Sequence, residues 1–308
     1  IGQLQRTGMP SHLFAERSKL AVLEERFRDK GEGANLAVSL ANLAMDFPLE
    51  VAERMPYLWL REDATAVQAV LGQLRPDNLL VTLVAKGLPT DQVERYFGAR
   101  YSYSEDTGAA WSALAGVPGV AAIRLPLPNP YVPTQTTVRP IEPARLIDEP
   151  TLRLYYAQDT EFQRPLLAHV LRVRLPRSVA SVRNAALLRF YDACVKESLN
   201  ETTYAAGEAG LHFEFSASLE GVHRGIDGYD ASAPLLLDKV LAGLRDCPLS
   251  AERFAALKDR LLRELAGFDR ADAYKALQET RHRVVREFHY RPDDVLPVAR
   301  QLTLAQVQ

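Results

Sequence analysis

Glu197, Glu201, Tyr204 and Glu208 follow one another at spacings of four, three and four residues, in and beside the stretch SLNETTYAAGEAGL. On a helix, residues three and four apart lie on one face, so three carboxylates and a phenol would stand in a row. Carboxylates so placed can act as general acid and base, or can ligate a hard cation. No histidine or evident nucleophile stands beside them. The same helix carries an apolar stripe of Val179, Val182, Ala186, Phe190, Ala193 and Cys194, and the acidic row continues it. Carboxylates in a core are costly unless paired, so the row is expected to leave the core near Glu197. Three roles stay open: pairing with neighbours, lining a cavity, or catalysis.

Other groups with ligand chemistry are sparse. His212 and Glu214 share one face of an expected strand, and a suitable hairpin register would bring His223 across from them, a set zinc accepts; the sequence does not fix that register, and the expected reading is of ordinary surface or core histidines satisfied by their neighbours. His12 and Glu16 sit at i, i+4, and His282 and His289 at i, i+7; neither pair makes a site alone. The chain lacks His-x-x-Glu-His, His-Glu-x-x-His, Cys-x-x-Cys, a Gly-x-x-x-x-Gly-Lys phosphate loop and a Gly-x-Ser-x-Gly elbow. No histidine falls between His169 and His212, so the long helix in that interval holds no histidine-ligated metal.

The elements that must position these residues follow from periodicity and punctuation. Helices are expected over 11–30, 34–46 and 49–55, with Asp63 capping a fourth that Pro76 closes. Asn78–Ala85 is apolar and β-branched and predicts a buried strand; Tyr101–Ser104 alternates as an exposed one, and Trp111 falls in a short helix. Eight of the 19 prolines, at 118, 126, 128, 130, 133, 140, 143 and 150, crowd one stretch. Proline removes donors and fixes φ, so 118–150 is expected to run extended over a surface as a domain linker.

Beyond it, Thr151–Ala157 and Leu166–Leu175 are expected to pair as a hairpin. Ser178 is expected to cap a helix reaching Ala209, with Gly210 as its left-handed terminus. Strands at 211–216 and 221–227 follow, then helices near 232–246, 250–267 and 271–288. The predicted class is α+β, a mostly antiparallel sheet backed by helices in two-layer domains.

The 308 residues suffice for two domains, and 47% hydrophobic with 25% charged residues suits packed cores. A net charge of −2, from 37 basic and 39 acidic residues without a dense basic run, gives no pull toward nucleic acid. No apolar run is long enough for a membrane span. Cys194 and Cys247 are too few for a disulfide scaffold. The chain starts at Ile1, and Thr303-x-x-Gln306 has capping-box form just before the end at Gln308. It therefore reads as a piece of a longer protein.

SLNETTYAAGEAGL resembles a segment from the third domain of the pitrilysin/insulysin family of zinc metallopeptidases, the inverzincins. Pro48-Leu-Glu-x-Val51 and Leu74-Arg-Pro-Asp-Asn78 are similar to second-domain segments, and Leu125-Pro-x-x-Asn129-x-Tyr131-Val-Pro133-Thr134 to the start of the linker between enzyme halves. Gln158-Asp-x-x-Phe162-x-x-Pro165, Gly228-Tyr229, Pro234-Leu-Leu-Leu-x-Lys239 and Arg253-Phe254 fit the third domain, in the family's order. The resemblance implies a LuxS/MPP-like fold repeated in four domains, two bowl-like halves around a chamber that encloses and degrades peptides. Zinc and the general base would come from His-x-x-Glu-His in the first domain, which this sequence does not contain.

The implied division is 1–117 as the late part of a non-catalytic second domain, 118–150 as linker, and 151–308 as a third, inactive domain. No catalytic, cofactor or metal residue carries over. Glu197, Glu201, Tyr204 and Glu208 become chamber-lining candidates on a scaffold helix. The implied partners are the remaining domains of the parent chain and peptide substrates, with zinc in the parent. Family analogy suggests a bacterial periplasmic or cytoplasmic setting. The alternative is a non-catalytic, bracing or peptide-binding relative of the same superfamily.

Overall fold

A computed structural model describes residues 1–28, 31–105, 113, 123–138, 144–159, 161–175, 180–219 and 221–308, the side chain of Asp77 excepted. Trp111 and Ser178, with the readings placed on them, lie outside the described residues. The chain divides into two compact units, Ile1–Pro128 and Asn129–Gln308.

The first unit is mostly helical: α1 Gly2–Thr7, α2 Ser11–Phe27, α3 Gly33–Asp46, α4 Leu49–Ala52 and α5 Ala64–Gln73. Asp63 caps α5 as expected, accepting from the Ala66 amide at 2.9 Å. Pro48 stops α3 one residue earlier, at Phe47, because the residue before proline is pushed out of the helical region. Buried side chains are few: Leu20, Ala21 and Leu23 on α2, Ala52 on α4 and Leu71 on α5.

Asn78–Ala85 corrects an expectation. Asn78 closes a short 3-10 turn, and Leu79–Ala85 forms no strand and is exposed, Val84 at 89%. A strand exists only through its ladder, and the unit's one described ladder is the two-residue pair β1 Gln92–Val93 with β2 Arg100–Tyr101. With no neighbour to accept its hydrogen bonds, β propensity alone does not make Leu79–Ala85 regular.

The second unit holds the sheet. Strands β3 Ala144–Glu149 and β4 Leu152–Tyr156 make a hairpin, with Glu149 opposite Leu152. Strands β5 Leu166–Arg174, β6 Leu211–Ser218 and β7 Gly221–Tyr229 make an antiparallel sheet in the order β5-β7-β6. Two expectations change here. The 152–156 strand pairs with β3 rather than with β5, and β5 pairs with β7. The proline-rich stretch does not simply run over a surface, since its proline-free piece 144–149 joins a ladder as β3 and Tyr131 is buried in the core. Proline bars a ladder only where it stands.

Helix α6 spans Val182–Glu208, capped by Ser181, whose hydroxyl accepts from the Asn184 amide at 3.1 Å. Gly210 ends it at φ +79, a conformation that costs an L side chain. Helices α7 Ala233–Asp246, α8 Ala251–Ala266 and α9 Ala273–Val285 follow as expected. Helix α10, Pro292–Gln301, was not anticipated; Pro292 fits its first turn, but Pro297 lies inside it and breaks the sequence signal. The Thr303–Gln306 capping box forms and opens a single turn, α11 Leu304–Val307, with Val307 buried.

The core gathers Phe190, Cys194 and Leu199 of α6 against Leu211, Phe215 and Ile226 of the sheet. Leu236 and Val240 of α7, Leu257 and Leu261 of α8, and Val295 and Ala299 of α10 complete it. Each large side chain buried this way contributes about 1.5–3 kcal/mol. The result is the predicted α+β arrangement, helices on one face of an antiparallel sheet.

Candidate functional site

Helix α6 sets the site. Its buried line runs Ala186, Phe190, Cys194, Val195, Leu199 and Ala206, drifting round the helix as a straight 3.6-residue repeat requires. Glu197, Glu201, Tyr204 and Glu208 fall on the side that this drift leaves to solvent. Glu197 is half-buried, while Glu201, Tyr204 and Glu208 are exposed. The structure therefore keeps the four on one helix but gives only Glu197 an enclosing environment.

That environment is an open groove of about 390 Å³ between α6 and α8. Asp192, Lys196, Glu197 and Asn200 line it from α6, Arg260 and Glu264 from α8. Asp192 anchors the wall: one carboxylate oxygen accepts from the Ala217 amide of β6 at 3.1 Å, the other pairs with Lys196 at 2.7 Å. Glu264 reaches Arg189 at 3.8 Å. Further along, Glu201 meets Arg253 at 3.6 Å, both well exposed, a pair that stabilises little. The groove lining contains no histidine, cysteine or serine. Its alternating acids and bases suit the backbone and side chains of a polar chain, and supply no nucleophile or matched acid and base.

The histidines are dispersed by the register. His212 faces Asp227 across the ladder, Glu214 faces Gly225, and His223 faces Ser216. The hairpin thus sets His223 four positions from His212. His12 Nε2 lies 3.1 Å from the Pro126 carbonyl. Helix α9 ends at Val285, so His289 is not on its face, yet the His282 and His289 rings meet at 5.5 Å and His289 Nε2 lies 2.6 Å from Glu279 Oε1. Among the described residues no group of three or more His, Cys, Asp or Glu could hold a metal ion. No described helix is long and apolar enough to cross a membrane.

Two buried polar pairs were not foreseen. Cys194 and Cys247 are both buried as free thiols, and the Cys247 sulfur together with burial pushes the Cys194 thiol up, keeping it protonated. Arg224 of β7 lies on the core face of the sheet and donates from Nη2 to His169 Nδ1 at 2.8 Å. An arginine on the same strand face as the half-buried Val222 and the buried Ile226 was the available signal.

The second unit is an α+β arrangement, an antiparallel sheet with helices packed on one face. A family model described as the middle or third domain of peptidase M16 matches residues 26–298, and the chain belongs to that family of metallopeptidases. Human insulin-degrading enzyme is 26% identical over 276 residues, which are 87% of this chain and 27% of that protein. The A-factor-processing enzyme of Saccharomyces cerevisiae is 26% identical over 305 residues, 96% of this chain and 30% of its own. The crystal structure of pitrilysin is similar in fold, with a TM-score of 0.72 at 20% identity over 99% of this chain and 33% of that one. The chain thus spans between a quarter and a third of the proteins it matches. Family members are zinc metallopeptidases, but the described residues of this chain do not fit a zinc ion.

Proposed function

We propose that the chain is the non-catalytic central part of a zinc-dependent endopeptidase, a scaffold whose α6 face forms wall for a chamber that encloses peptides. Residues 1–117 supply the late part of a second domain, 118–150 the link, and 151–308 a third, inactive domain. One observation carries this reading: the M16 match spans residues 26–298, yet no His-x-x-Glu-His occurs anywhere in the sequence. Hydrolysis by a zinc-bound hydroxide needs three protein ligands and a base. Those groups would come from another part of the parent, with these residues holding and orienting the peptide.

The mixed-charge groove at Glu197 and the exposed Glu201, Tyr204 and Glu208 support a peptide-facing role for α6. The test places a photocrosslinking residue at Tyr204 of the longer protein, with Arg172 on the opposite sheet face as control. Chelator-sensitive hydrolysis of a fluorogenic peptide, and a labelled peptide captured at Tyr204 above the Arg172 level, are expected. Equal capture at both positions would remove the chamber-wall role. A longer protein that binds peptide without cleaving it would favour the bracing or binding relative.

A further inference from the structure

Arg224 is 1% exposed and is among the largest fully buried side chains of the protein. Its Nη2 is spent on His169, but Nε and Nη1 are buried without a hydrogen-bond partner among the described residues. Those two atoms carry three of the five guanidinium protons, and arginine does not shed its charge in proteins. Arginine cannot accept a hydrogen bond, so His169 Nδ1 must be the acceptor; the imidazole is therefore unprotonated at Nδ1 and neutral. The pair thus carries one whole positive charge, and no described residue balances it. A buried charge without a counter-charge is strongly destabilising. Water would satisfy the protons and leave the charge.

The described acids of this region are placed elsewhere. Arg224 faces Phe215 and Leu171 across the two ladders, on the core side. Glu214 and Asp227 belong to the alternate set of strand positions and project from the outer side. Asp192, the acid of α6 that reaches the sheet, already binds the Ala217 amide and Lys196. Helix α6 covers the β6 side of the sheet through Tyr191 against Phe215, while Leu167, His169 and Leu171 of β5 remain only half-buried. Arg224 therefore stands at the margin of the covered face, with the β5 side as its open flank.

We propose that Arg224 and His169 form an anion-receiving site on the core face of the β5-β7-β6 sheet, and that its ligand is a carboxylate. The charge count selects the class. One cation beside a neutral imidazole is balanced by a monoanion, whereas a phosphate dianion would leave a net negative charge among Phe215, Leu171 and their neighbours. A carboxylate oxygen accepts a charge-assisted hydrogen bond from the Nε proton, leaving the protons of Nη1, which point to the other side of the guanidinium, to water. The carboxylate belongs either to a free acid or to an Asp or Glu side chain of a polypeptide segment outside this chain. The site is independent of the groove at Glu197 and of the chamber reading.

The test is thermal unfolding of the 308-residue chain in sodium formate against sodium chloride at equal ionic strength. At a formate concentration about tenfold above its Kd, the midpoint should rise by about 3 °C. Arg224→Met should lose that response while unfolding no lower than the unsubstituted chain in chloride, because it removes a buried charge. Should Arg224→Met fail to fold, the Nε–H resonance of Arg224 in the 15N-labelled protein provides the second readout, and it should shift saturably with formate. Capped Gly-Glu-Gly and Gly-Gln-Gly peptides separate the sources: a response to the Glu peptide assigns a polypeptide carboxylate, and a response to formate alone a free acid. An equal response to chloride and formate, an unchanged response in Arg224→Met, or an unmoved Nε–H signal would overturn the proposal.

Discussion

The two units of this chain are built from similar residues and differ in what those residues touch. In the first, the apolar run Leu79, Leu80, Val81, Leu83 and Val84 lies exposed, and α3 buries nothing despite its Leu, Val and Ala content. In the second, a three-stranded sheet gives α6 a surface, and side chains from α6, α7, α8 and α10 close over one another. The difference teaches that hydrophobicity supplies a driving force, while a ladder or a second layer decides whether it is used. A strand-like sequence without a neighbouring strand remains open chain.

The comparison can be broken at its tightest point first. Gly228 sits at φ +126, and a Cβ there would run into the Gly210 carbonyl and meet Leu211 Cα at 2.9 Å. Gly228→Ala should cost more than about 4 kcal/mol, since clash and backbone strain add. An unchanged urea midpoint would show that the hairpin and helix end can separate freely. Next, Phe190→Ala empties the fully buried centre of the second unit and should cost about 3–5 kcal/mol. Equal destabilisation by an exposed-residue change in the first unit would erase the contrast.

A smaller effect sharpens the cap. At Gly210 an added Cβ would meet Tyr229 at 3.0 Å, besides the left-handed backbone, so Gly210→Val should cost about 1–2 kcal/mol. A melting temperature equal to that of the unsubstituted chain would refute it.

Smaller still is a pH dependence. Burial and then Arg224 hold His169 below its ordinary value of 6.5. The unfolded chain therefore takes up the proton first, so His169 stabilises the second unit above pH 6.5, and this is lost as pH falls from there toward the folded value. Denaturation midpoints should decline from pH 7 toward pH 5, and His169→Gln should flatten that decline. His282, also lowered, leaves a residual slope in the variant. Smallest of all, Val84→Ser should stay within about 0.5 kcal/mol, and a larger loss would mean that Leu79–Ala85 is held by contacts its exposure does not suggest.

Local signals read well wherever the chain carries its own partners. The Asp63 cap, the Gly210 terminus, the 211–229 hairpin and the three helices after it were all visible from spacing and cap chemistry. The site was legible only halfway. The four-three-four spacing put Glu197, Glu201, Tyr204 and Glu208 on one helix, but the groove exists because α8 brings Arg260 and Glu264 alongside. Helix α10 was hidden by its own Pro297, and the Arg224–His169 pair by 55 residues of separation.

Sequence alone thus determined most of the helices, the caps at Asp63 and Gly210, the family and the lack of a His-x-x-Glu-His motif, because each depends on neighbours a few residues apart or on residues being present at all. Tertiary structure decided which strands pair, which apolar runs are buried and where a lone arginine comes to rest. Those outcomes depend on which distant segment offers a hydrogen-bonding edge or an apolar face, and propensity carries no record of that choice.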